Sequence, residues 1–124
     1  MRQINWFICF IITTRTYLKE IKKLYRKLIE KGLQREFETG LAAVESIIRE
    51  WRNDKTDNGD AYRKMYKEIK EFDKHIARRY DSLGGSRFVP TVGWQLSDGL
   101  LTEEDIAPLS DNAKALVRKF AELL

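Results

Sequence analysis

His75 is the only imidazole in this chain, and Cys9 is the only thiol. Glu71 and Arg79 lie four residues to either side of His75, one helical turn away on the same face, with Glu68 three residues further back. Carboxylates beside an imidazole have the outline of a carboxylate-bridged metal bundle. Such bundles need Glu-x-x-His twice, plus glutamates from other helices, whereas here the spacing is four and one histidine exists. A solvated or hydrogen-bonded surface histidine is expected, and no metal centre.

Cys9 stands among Trp6, Phe7, Phe10 and Ile11. An apolar setting blunts a thiol as a nucleophile, and no base lies near it in the sequence. Gly85-Ser86-Arg87 lacks the Gly-x-Ser-x-Gly of a serine nucleophile and follows a helical pattern instead of a strand. Gly84, Gly85, Ser86 and Arg87 offer backbone N–H groups and one guanidinium to a phosphate, but without a P-loop or Gly-x-Gly-x-x-Gly pattern. A helix C-cap followed by a turn accounts for the same residues. Glu103, Glu104 and Asp105 are the carboxylates that a helix dipole favours in a first turn. No catalytic residue, metal ligand or cofactor is therefore expected, no small-molecule substrate is inferred, and the chain reads as a non-enzyme.

Binding chemistry is better represented. Over residues 15–31, seven Lys and Arg stand against Glu20 and Glu30, and Lys19, Lys22, Lys23, Arg26 and Lys27 are the candidate anion or nucleic-acid contacts. Arg78, Arg79 and Arg87 extend that set. Residues 102–123 have a helix-turn-helix-like rhythm with Lys114, Arg118 and Lys119 on the second helix, yet they fall in the acidic third of the chain.

The charge is unevenly divided. Residues 1–80 carry 19 Lys and Arg against 12 Asp and Glu, while 81–124 carry 4 against 7. The whole chain of 124 residues is net +4, 43% hydrophobic and 34% charged. That is too apolar for disorder and too charged for an integral membrane protein, and it is the length of one helical domain over 1–124. With one cysteine, neither a disulfide framework nor a zinc site can form within the chain, and a reducing, cytoplasmic location is expected.

The elements must now be placed. Ile4, Trp6, Phe7, Ile8, Cys9, Phe10, Ile11 and Ile12 make an apolar run within 1–14, too short to cross a bilayer as a helix. No small-x-small cleavage site follows, so the run is expected to stay on the chain, buried as strand or helix. Tyr17, Leu18, Ile21, Leu24, Tyr25 and Leu28 form one stripe of an amphipathic helix over 15–31, with Gly32 placed to end it. Leu33, Phe37, Leu41, Val44, Ile47, Ile48 and Trp51 predict a second helix over 34–52, despite Gly40.

The polar stretch 53–60 reads as a loop, and Asp60 as the cap of a helix over 61–80 striped by Tyr62, Met65, Tyr66, Ile69, Phe72, Ile76 and Tyr80. Lys67-Glu68-Ile69-Lys70 repeats Lys19-Glu20-Ile21-Lys22 at an offset of 48, which composition alone explains. Residues 81–101, with Pro90, Gly93 and Gly99, read as irregular, with one short extended piece where Val92, Trp94 and Leu96 alternate. Thr102 and Asp105 have the form of a capping box, and Ser110 caps a last helix with Ala113, Leu116, Val117, Phe120 and Leu124 inside.

The fold expected is all-α, an antiparallel bundle of about four helices with an irregular 81–101 segment. Four apolar stripes and 14 aromatics exceed what a small core needs. A protein-protein interaction or self-association module follows, most simply a homodimer, through Trp6, Phe7, Phe10, Ile11, Trp51 and Trp94. The alternative is a nucleic-acid-binding protein using the basic face, with membrane-surface attachment the lesser option.

Overall fold

The computed structural model describes residues 2–81 and 83–123, with side chains from Tyr17 onward. It is all-α: helices α1 (Arg2–Arg52), α2 (Asn58–Tyr80), α3 (Phe88–Ser97) and α4 (Asp111–Glu122), with a single 3₁₀ turn at Gly85–Arg87. The described residues contain no strand.

The two expected helices 15–31 and 34–52 are one. α1 runs through Gly32 and Gly40, because each glycine meets a large side chain from another element and the packing outweighs its poor propensity. A Cβ on Gly32 would stand 2.3 Å from Gln95 Nε2, and one on Gly40 would stand 2.8 Å from the Phe72 ring. The apolar run within 1–14 belongs to α1 from Arg2 onward. The contact expected through Trp6, Phe7, Phe10 and Ile11 concerns side chains outside the described residues.

α1 ends where Asp54 takes a left-handed φ of 56°. The Lys55 N–H then reaches back to the Glu50 carbonyl at 3.0 Å, closing the helix end. The next helix starts three residues earlier than the pattern suggests. Asp57, not Asp60, is the N-cap of α2, accepting from the Asp60 N–H at 2.7 Å. The connection over 53–57 is short, so α2 folds back antiparallel on α1 as a hairpin.

The irregular segment expected over 81–101 is also corrected. Phe88, Thr91, Val92, Gly93 and Gln95 are the buried positions of α3, a helical spacing disguised by Thr, Gly and Gln where apolar types were sought. Pro90 sits in the first turn, where its missing N–H costs nothing. The preceding helix is capped at Asp81, and Gly84 leads the 3₁₀ turn instead of closing α2. The Thr102–Asp105 box forms, with the Thr102 N–H on Asp105 Oδ2 at 2.9 Å and the Asp105 N–H on Thr102 Oγ1 at 3.2 Å. Ser110 caps α4 through the Ala113 N–H at 3.2 Å.

Tyr25, Leu28 and Ile29 of α1 meet Phe88 and Val92 of α3, Leu101, Ile106 and Leu109 of the α3–α4 connection, and Val117 of α4. The core thus lies where the middle of α1 crosses α3 and α4. The hairpin is different: Ala61 is the one buried hydrophobic residue that its length from Phe37 to Tyr80 contributes. Among the described residues no helix is long and apolar enough to cross a membrane.

Candidate functional site

Two carboxylates, Glu36 of α1 and Asp105 of the α3–α4 connection, gather polar contacts from other elements, Asp105 meeting α1 at Lys31 and Arg35, within about a turn of Glu36. Glu36, 5% exposed, is held on one oxygen by His75 and by Arg79 Nη1 at 3.0 Å, and on the other by the Tyr80 hydroxyl. Arg79 also reaches Asp98 Oδ2 at 2.6 Å, tying α2 to the end of α3. Burial, and then the hydrogen bond to Glu36, push the Tyr80 phenol well above its ordinary pKa. Gln95 is fully buried and donates to the Ile29 carbonyl at 2.9 Å and to the Tyr80 oxygen at 3.1 Å.

Asp105 is the second hub. It accepts from Arg35 Nη1 at 2.6 Å and Lys31 Nζ at 2.7 Å, and Arg35 also donates to the Leu100 carbonyl at 2.8 Å. Arg35, then Lys31 and the Thr102 backbone, hold its carboxyl far below the usual carboxylate range. Both hubs join elements of the fold to one another. The described residues include no group of three His, Cys, Asp or Glu placed to hold a metal ion.

The basic candidates divide. Lys19, Lys22, Lys23, Arg26, Lys27 and Arg78 are exposed. Arg26 lies over the Phe88 ring, 5.7 Å from its centroid. Arg79 is 16% exposed between its two carboxylates, and Arg87 donates to the Asp81 carbonyl at 3.1 Å. Arg79 is thus taken up by two carboxylates, while Arg87 gives one bond to a backbone carbonyl.

The largest departure from the expected core concerns the apolar stripes. Tyr17 and Leu18, read as inward, are exposed, as is Leu116 on α4. On the hairpin Phe37, Leu41, Ile48 and Trp51 of α1 and Tyr62, Tyr66 and Ile69 of α2 are exposed. At about 100° per residue they share one side of the hairpin. Two clefts open along it, about 370 Å³ lined by Ile48, Trp51, Arg52, Tyr62 and Met65, and about 360 Å³ lined by Phe37, Leu41, Ile69, Phe72 and Asp73, so each cleft also carries a charge. Phe37 and Phe72 pack ring to ring at 6.2 Å, and Trp51 Nε1 donates to Asn58 Oδ1 at 2.7 Å.

The opposite side of the hairpin carries Thr39, Ser46, Glu50, Lys64, Glu71 and Arg78, all exposed and polar. The α3–α4 unit does not cover the apolar flank. Leu28 and Arg35, which face that unit, project from α1 on the side roughly opposite Phe37. Trp51 of the expected contact set therefore lies on this flank, while Trp94 is half-buried on α3. Sequence reasoning put Phe37, Leu41, Tyr62 and Ile69 inside, whereas among the described residues no third helix covers this side of the hairpin.

The chain matches no protein-family model, no curated protein and no solved structure.

Proposed function

We propose that this chain is a self-association module, and that the apolar flank of the α1–α2 hairpin is where a second copy docks. The observation that carries the reading is the row of exposed apolar side chains on one flank facing away from the core, with a polar row on the other. With about 200 Å² per aromatic side chain, the exposed fractions of Phe37, Trp51, Tyr62 and Tyr66 (39, 39, 67 and 61%) alone present about 400 Å². Leu41, Ile48 and Ile69 raise this toward the roughly 800 Å² per partner of a standard interface. Two helices alone bury little, and four make a bundle with a common core.

A binding role, not catalysis, also fits the two carboxylate hubs, whose oxygens are occupied by neighbouring side chains. The mass of the purified protein by light scattering tests the reading. A dimer is expected, and Leu41→Lys with Tyr62→Lys, at positions 71% and 67% exposed, is expected to leave a folded monomer. A wild-type monomer at high micromolar concentration overturns it.

Nucleic-acid binding is supported by one observation, the exposure of Lys19, Lys22, Lys23, Arg26 and Lys27 along a single helix. Retention on generic DNA or RNA that falls steeply with salt, and weakens when these five are neutralised, is the corresponding test.

A further inference from the structure

α1 outruns the body it packs against. Among the described side chains, Ile21 and Leu24 are the first of α1 to meet the core. Tyr17 and Leu18 continue the same stripe by one turn and are exposed. The helix nevertheless runs back to Arg2, roughly 28 Å of rod before Ile21 at 1.5 Å per residue.

That stretch is first apolar and then cationic. From Ile4 to Ile12 every residue but Asn5 is apolar, and Arg2 is the one charge before Arg15. At 100° per residue these apolar positions fall all round the helix axis, with no gap wider than about 60°. A helix apolar on one side suits a partner helix, whereas one apolar all round suits a medium that surrounds it. The run rises about 12 Å, close to the hydrocarbon depth of one leaflet and well short of a bilayer.

Arg15, Lys19, Lys22, Lys23, Arg26 and Lys27 follow, against Glu20 alone. The last five are exposed, and among the described residues no ion pair engages them. Glu30, further along, accepts from Gln34 Nε2 at 3.0 Å. Lys19, Lys23 and Lys27 lie on the side of α1 roughly opposite Tyr25 and Leu28, which face the core. The acidic excess of residues 81–124, 4 Lys and Arg against 7 Asp and Glu, thus stands behind them.

We propose that the first turns of α1 insert into one leaflet of an anionic phospholipid bilayer, with the cations from Arg15 to Lys27 on the headgroup phosphates. A short apolar insertion alone binds reversibly, and a neighbouring polybasic cluster makes it stable. Nucleic acid would use the cations and leave the apolar run uncovered; a second copy would cover one side of the run and leave the cations unmatched. The site occupies a different stretch of α1 from the hairpin flank and stands independently of self-association.

Flotation of the full chain with vesicles of phosphatidylserine and phosphatidylcholine in equal parts tests this. Binding is expected, falling with salt and roughly tenfold weaker on phosphatidylcholine alone. Lys19→Gln, Lys22→Gln, Lys23→Gln and Lys27→Gln together are expected to weaken it at least tenfold, with far-UV circular dichroism unchanged because all four are exposed. Bromine on the acyl chains is expected to quench tryptophan emission, and Trp6→Phe to remove the quenching while the chain stays on the vesicle. Trp51 and Trp94, in the hairpin and in α3, are expected to stay unquenched. Binding without quenching is charge attraction alone and overturns the insertion, as does quenching that survives Trp6→Phe. Binding indifferent to the four lysine changes overturns the headgroup contact. Retention on RNA or DNA with none on anionic vesicles overturns the whole proposal in favour of nucleic acid.

Discussion

Gln95 of α3 lies directly on the backbone of Gly32 in α1, with its Nε2 2.3 Å from the place a Cβ would occupy and donating to the Ile29 carbonyl at 2.9 Å. The side chain is fully buried, so it has no room to retreat. Gly32→Ala sets a propensity gain of about 1 kcal/mol against overpacking that costs about 1–3 kcal/mol and the displaced Gln95 hydrogen bonds. A net loss of about 2 kcal/mol is expected from these terms, read as a lower denaturation midpoint. A stabilised variant would show that Gln95 does not hold this position.

Glu36 anchors α2 to α1 through His75, Arg79 and Tyr80. Glu36→Gln leaves Asp98 as the one carboxylate beside the largely buried Arg79 guanidinium, and removing one charge of a buried pair costs about 3 kcal/mol. Tyr80→Phe deletes one donor to Glu36 and the oxygen that receives Gln95, for about 1 kcal/mol. The order of the two losses in urea titrations is the test: equal effects would mean that Arg79 contributes nothing to holding the carboxylate.

Asp105 makes stability acid-sensitive. Its carboxyl is held below the ordinary value by Arg35, Lys31 and Thr102, so the folded chain binds that proton less readily than the unfolded chain does. The contribution is complete above the unfolded value of about 3.9 and is lost as pH falls through the lower folded value. Asp105→Asn is expected to cost about 2 kcal/mol at pH 7, with the gap to wild type closing below pH 4. A gap that stays constant between pH 7 and pH 2 would contradict this assignment.

Much of this architecture was legible in residue types, because caps and loops are local chemistry. Ser110 and the Thr102–Asp105 box form as read, and the loop after Arg52 is where Asn, Asp and Gly concentrate. Gly32 was misread as a terminus since the side chain that occupies its missing Cβ, Gln95, comes from 63 residues later. α3 was hidden because Thr91 and Gln95, polar types, hold two of its core positions. The flank was the converse error. Phe37, Leu41, Tyr62 and Ile69 have the spacing of a buried stripe, and spacing does not reveal whether another helix arrives to cover it.

Asp54 occupies the left-handed region at φ 56°, where Asp is tolerated and Gly is unstrained. Asp54→Gly is expected to raise stability by roughly 0.5–1 kcal/mol, seen as a higher melting temperature with unchanged helix content. Asp54→Val, branched at Cβ, is expected to lower it.

Because α1 is one uninterrupted helix from Arg2 to Arg52, it is at once a wall of the core and a wall of the hairpin. Residues 25 and 48, one in each region, are joined by about 35 Å of stiff rod at 1.5 Å per residue. A twist imposed on the flank is therefore delivered to Gly32 and the Gln95 contact with little slack to absorb it. Fragments that sever this rod would deprive both regions of a shared surface, so excision of either piece for separate expression destabilises it.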